Sequence, residues 1–220
     1  LREKVASLSA DAEPIRQPTL VIMKKKISSG ECLMLKQVSE WMHRVSNGRI
    51  TLLALVIFLL FTALVLPGQA SQAEANTGNA RSPDMSFYYS ANDLYRMAEA
   101  FGKEGREAYV RARFTFDVIW PLVYTIFLCT GISWIYRRVF SPGSLWQLAN
   151  LVPVFGALFD YLENISTSLV MIRYPNPTVL VDALAAVFTM TKWIFVTSSF
   201  ILLLTGAGVG IWQLLRPRGK

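Results

Sequence analysis

Cysteine, histidine and charge are all scarce in this chain. Its two cysteines, Cys32 and Cys129, stand far apart with no C-x-x-C spacing, which excludes a disulfide framework and a zinc site of the usual kind. The one histidine, His43, precedes every long apolar run, so the chain has no pair of histidines to hold a haem within a membrane. Charged residues make up 17% of the 220, against 53% hydrophobic, which is too apolar for an ordinary soluble domain. The net charge of +7 gathers beside the ends of apolar runs, which points to membrane orientation and away from nucleic acid. No cofactor is implied.

What the chain does have is long apolar runs. Residues 1–30 carry no strong period, and Met23 is the first methionine, followed by Lys24-Lys25-Lys26. They are expected to be a disordered or non-native tail, with translation beginning at Met23. Over 31–49, Met34, Val38, Trp41, Met42 and Val45 fall at helical spacing, with Lys36, Gln37, Glu40, His43 and Arg44 on the other face. That pattern predicts an interfacial amphipathic helix, the alternative being a helix packed on the rest of the protein. Residues 50–66 form a first span, read as a signal anchor; cleavage at the small residues of Gln69-Ala70-Ser71-Gln72-Ala73 is the alternative.

Residues 67–113 predict an extracytoplasmic loop with a helix of its own. Ser71 to Pro83 reads as irregular chain, and Ser90-x-x-Asp93 opens a helix carrying Leu94, Met97, Ala98 and Phe101 on one face. Gly102 and Gly105 interrupt it, and a second stretch from Glu104 is expected to run unbroken into the next span. Further spans are read at 114–136, 146–173 and 178–204, with 205–220 as a tail loosened by Gly206-Ala207-Gly208-Val209-Gly210. The fold class is therefore all-α, a four-helix transmembrane bundle with an extracytoplasmic helical loop. Arg44, Arg49, Arg137, Arg138, Arg216, Arg218 and Lys220 share one side, which predicts a cell-membrane protein with both termini cytoplasmic.

The third span carries the chemistry. Asp160, Glu163, Asn164 and Thr167 fall at i, i+3, i+4 and i+7, one polar stripe; Ala185, Thr189, Lys192 and Ser199 make another on the fourth span. An ionised group in hydrocarbon costs roughly 2.5–3.5 kcal/mol, so the stripes are expected to meet, with Lys192 compensating Asp160. At 1.5 Å per residue, Asp160 lies about 21 Å and Glu163 about 26 Å above Trp146, level with Lys192, and Asp117 enters the same outer half. Tyr124 lies deeper on the face of Asp117, beyond Pro121. The candidate catalytic residues are Asp160, Glu163, Lys192 and Asp117; the candidate ligand-binding residues are Tyr124, Asn164, Thr167 and Thr189. No metal-ligand set is present. A lysine–carboxylate pair can also serve only to hold helices together, but the surplus carboxylates favour a functional cavity. Arg111 and Arg113 read as a solvated basic helix end, with lipid phosphate binding as the alternative.

Asp117-x-x-x-Pro121-x-x-Tyr124 together with Asp160-x-x-Glu163-Asn164 resembles a pattern of uncharacterised prokaryotic multi-pass membrane proteins, over roughly the last half of the chain. The resemblance implies no activity. The functional expectation is an outer-half polar cavity that binds or transforms a lipid-like molecule. A proton- or ion-coupled transporter subunit and an accessory subunit of a membrane complex are the alternatives. Expected partners are membrane lipids and a second copy or a membrane-complex partner, with no nucleic acid.

Overall fold

The computed structural model describes residues 33–78 and 80–216; the tail read over 1–30 and the last four residues lie outside them. The described residues from Val38 onward belong to one compact unit. The described residues are helical, with no strand, and four stretches are long and apolar enough to cross a membrane: Gly48–Thr77, Ala91–Val139, Leu145–Arg173 and Val181–Leu215. Helix α1 covers 33–45, α2 Gly48–Thr77, α3 Ala91–Arg113, α4 Phe116–Val139, α5 Val152–Arg173 and α6 Val181–Leu215. The bundle has a loop end, with residues 80–90 and 174–180, and a basic end, with Arg49, Arg137 and Arg138.

Asn47 starts α2 by accepting from the backbone N–H of Arg49 and Ile50 at 3.0 and 3.1 Å. Pro67 cannot donate, and its ring would crowd the carbonyl of Ala63. The turn over Phe61–Val65 widens to π geometry just ahead of it, with the Leu66 N–H reaching Phe61 O. The helix then continues to Thr77, where Gly78 ends it at φ 61°. The expected irregular chain from Ser71 is thus corrected over 71–77. Ala73 and Ala75 favour helix there, and Gly105 of α3 packs against it so closely that a Cβ would lie 2.6 Å from Asn76 O.

A capping box opens α3: Ser90 Oγ accepts from the Asp93 N–H at 3.2 Å, and Asp93 Oδ2 accepts from the Ser90 N–H at 2.9 Å. Gly102, at φ 63°, breaks the helix where only glycine sits without strain. Leu94, Met97, Ala98, Phe101 and Tyr109 pack on Val170, Met171, Ala185 and Ala186, capping the ends of α5 and α6. The expected unbroken run into the second span is a second correction: Phe114 and Thr115 leave helical geometry, so α4 starts in a new direction.

A 3-10 stretch, Leu145–Leu151, leads into α5, with Ser144 Oγ accepting from the Trp146 N–H at 3.3 Å. The expected loosening of α6 at Gly206–Gly210 does not occur; the helix runs on to Leu215. Packing explains this, because a Cβ at Gly206 would overlap the Tyr136 ring and one at Gly131 would lie 2.9 Å from the Leu203 side chain. The small residues bring α4 and α6 together instead of ending a helix.

Candidate functional site

The polar site lies along α6 between two apolar layers, Ala185 and Ala186 towards the loop end and Val196 and Phe200 towards the basic end. The side chains of Asp160, Glu163, Asn164, Thr167, Thr189 and Lys192 are all buried, Glu163 completely. Heptad-like spacing on two facing helices produces this: the stripe on α5 meets the stripe on α6, and Gly156 lets the backbones approach Val196 closely.

Lys192 stands between two carboxylates. Its Nζ forms an ion pair with Glu163 Oε2 and lies 3.8 Å from Asp160 Oδ1. The sequence pairs Lys192 with Asp160; the shorter contact is to Glu163. Tyr124 OH donates to Asp160 Oδ2 at 3.0 Å, and Thr189 Oγ1 donates to Glu163 Oε1 at 2.7 Å. Thr167 Oγ1 donates to Glu163 O at 2.9 Å and accepts from Tyr109 OH at 3.2 Å. The structure therefore brings Asp160, Glu163, Lys192, Tyr124, Thr167 and Thr189 into one network. Asn164 is beside it but outside it: both atoms of its amide are buried without a hydrogen-bond partner, as is Ser168 Oγ one turn on. Each such atom costs about 1–3 kcal/mol, so Asn164 offers an unused donor and acceptor.

Asp117 goes elsewhere. It pairs with Arg113, one turn earlier, at 3.0 Å, and Arg113 pairs in turn with Asp84 from the loop at 2.5 Å. A second triad of one cation and two acids results, separate from the first. Arg113 also lies over the Tyr109 ring at 4.5 Å. The expected solvated helix end is corrected for Arg113, whose side chain is 12% exposed.

Sequence reasoning missed Asp84, Tyr89 and Tyr109, and placed Arg113 at a basic helix end and not in a buried pair. Arg113 could have been found from its i, i+4 spacing to Asp117. Tyr89 has no local signal: the loop folds it inward so that its OH meets Thr189 Oγ1 at 2.9 Å, 100 residues away in sequence. Burial, with Glu163 nearby, pushes the Tyr89 phenol well above the usual tyrosine range, so it remains a donor. On its other side lies a cavity of about 280 Å³ at the loop end, lined among others by Arg81, Tyr88, Tyr89 and Arg96.

Another polar cluster joins α1 to the basic end. His43 Nδ1 lies 3.0 Å from Ser133 O and Nε2 lies 2.9 Å from Gln147 O. Ser39 Oγ donates to Asn150 Oδ1 at 2.8 Å, Asn150 Nδ2 donates to Ser133 Oγ at 2.9 Å, and Arg137 Nη1 donates to His43 O at 2.8 Å. Ser39 and His43 thus face the protein, whereas Lys36, Gln37, Glu40 and Arg44 are exposed, as are Val38, Trp41 and Val45 at 45%, 57% and 39%.

No protein-family model, curated protein or solved structure matches the chain.

Proposed function

We propose that the protein is a proton-exchanging membrane protein, or a subunit of one, in which Asp160 and Glu163 load and release a proton against the fixed charge of Lys192. The observation that carries this reading is the stoichiometry of the buried triad, one ammonium between two carboxylates. With one acid protonated the triad is neutral; with both ionised it carries a single negative charge. Exchange then moves one proton and changes the buried charge by one, the smallest step available in a low-dielectric interior. Tyr124 and Thr189 each give one acid a hydroxyl partner, which holds its orientation through the change. The basic flanks support placing the arginine end in the cytoplasm of a cell and the loop end outside it.

The test is proton uptake into vesicles carrying a trapped pH-sensitive dye, driven by an imposed membrane potential. Wild-type protein is expected to raise uptake above protein-free vesicles, and Glu163→Gln or Asp160→Asn to remove most of the gain. Wild-type uptake equal to that of empty vesicles would overturn the reading.

The expectation of a lipid-like ligand gains support from the cavity at the loop end. A small amphipath held there by Arg81, beside the Asp93–Arg96 ion pair that also lines the cavity, would be linked to Glu163 through Tyr89 and Thr189. A molecule that co-purifies with wild type and is lost from folded Tyr89→Ala would favour this second reading, in which Glu163 supplies acid–base chemistry.

A further inference from the structure

At the basic end a groove of about 490 Å³ lies between the start of α2 and the last turns of α4, lined by Asn47, Gly48, Arg49, Trp134 and Arg138. Arg138 is fixed in its wall. Its guanidinium lies 4.4 Å from the centre of the Trp134 ring, and Nη1 donates to Trp134 O at 2.7 Å, leaving its other N–H groups for a ligand. Neither Arg49 nor Arg138 joins an ion pair among the described residues, so the groove carries two uncompensated positive charges.

A neutral donor lies beside them. Trp134 Nε1 is buried with no acceptor, and it sits so close to Gly48 that a Cβ there would be 3.3 Å away. The carboxamide oxygen of Asn47 is already taken by the backbone of α2. Two guanidinium groups outside any ion pair among the described residues, with no acid in the lining, make this a site for an anion.

Its height says which anion. Gly48 begins α2 and Val139 ends α4, so the groove lies where two spans leave the hydrocarbon, the level of lipid phosphates. From it, Ile50, Leu53 and Ile57 run exposed along one face of α2. We propose that the groove binds the phosphodiester headgroup of an anionic phospholipid. Arg49 and Arg138 hold its phosphate oxygens, and its acyl chains lie along α2. A zwitterionic lipid brings its own cation next to the arginines and is disfavoured; a lipid such as phosphatidylglycerol does not.

Native mass spectrometry of the full chain in neutral detergent, titrated separately with phosphatidylglycerol, phosphatidylcholine and inorganic phosphate, tests this. Wild type is expected to hold one phosphatidylglycerol roughly tenfold more tightly than phosphatidylcholine, given two arginines near the surface. Arg49→Gln with Arg138→Gln should abolish that preference at an unchanged melting temperature. Arg49→Gln alone alters an exposed residue and keeps the question answerable if the double variant does not fold; it should lose part of the preference. Equal binding of the two lipids by wild type, or an undiminished preference in a folded variant lacking both arginines, overturns the proposal. Binding of inorganic phosphate that the double variant loses, with no lipid preference, assigns the groove to a free anion and overturns it as well.

Discussion

Lys192 is the residue on which the buried site depends, because among the described residues it is the cation that pairs with both Asp160 and Glu163. Removing it leaves Asp160 and Glu163 facing each other without compensation. Lys192→Met should therefore destabilise the fold by about 3–5 kcal/mol, the usual cost of breaking a buried pair from one side. Adding Asp160→Asn and Glu163→Gln should recover much of that loss, since an unpaired charge costs more than an absent one. Denaturant unfolding in detergent micelles reads both effects, and a Lys192→Met variant as stable as wild type would remove the lysine from the network. At this scale the sequence was informative for a simple reason. Helical spacing alone aligned Asp160 with Glu163 and Thr167, and Thr189 with Lys192. It could not tell which acid lies nearer the lysine, because helix rotation is set by packing such as that of Gly156 on Val196.

Among the helices, glycine is where expectation and structure part most clearly. Gly102 breaks α3 by its backbone, at φ 63°, whereas Gly206 lets α6 continue by having no side chain beside Tyr136. In sequence the two are the same letter. What separates them is a partner helix that arrives from a distant part of the chain. Gly206→Val should accordingly cost about 1–3 kcal/mol through overpacking against Tyr136, seen as a lower melting temperature. Gly208→Ala, with nothing within 4 Å of the added Cβ, should be neutral or slightly stabilising. The continuation of α2 past Pro67 was hidden for a related reason: proline reads as a stop unless the turn before it can widen, and a π turn has no composition of its own.

For the whole molecule, the membrane-spanning bundle follows from apolar run length, and that part was legible. The contacts that close its two ends were not. Asp84 reaches Arg113 and Tyr89 reaches Thr189 from a loop whose small, polar residues gave no periodic signal. At the basic end, His43 was read with Lys36, Gln37, Glu40 and Arg44 on the polar face of an interfacial amphipathic helix, and Ser39 was not singled out. Within 38–45, Ser39 and His43 turn inward while Glu40 and Arg44 stay exposed, in keeping with the alternative of a helix packed on the protein. His43→Ala should then cost about 1 kcal/mol through its lost contacts to Ser133 O and Gln147 O, the latter keeping Ser39 Oγ as a donor. Hydrogen exchange should rise over residues 38–45 and leave α5 and α6 unchanged.

The bonds that fasten α1 also set an order of assembly. Ser39 and His43 find their partners 90 to 111 residues further along the chain, in α4 and the segment before α5. A ribosome makes α1 before any of these exists. Its exposed Val38, Trp41 and Val45 can rest on a lipid surface in the meantime, while its hydroxyl and imidazole groups stay hydrated. The helix synthesised ahead of the four spans is thus fastened only after the second of them has crossed, and the chain ties its beginning to its middle late in its own biogenesis.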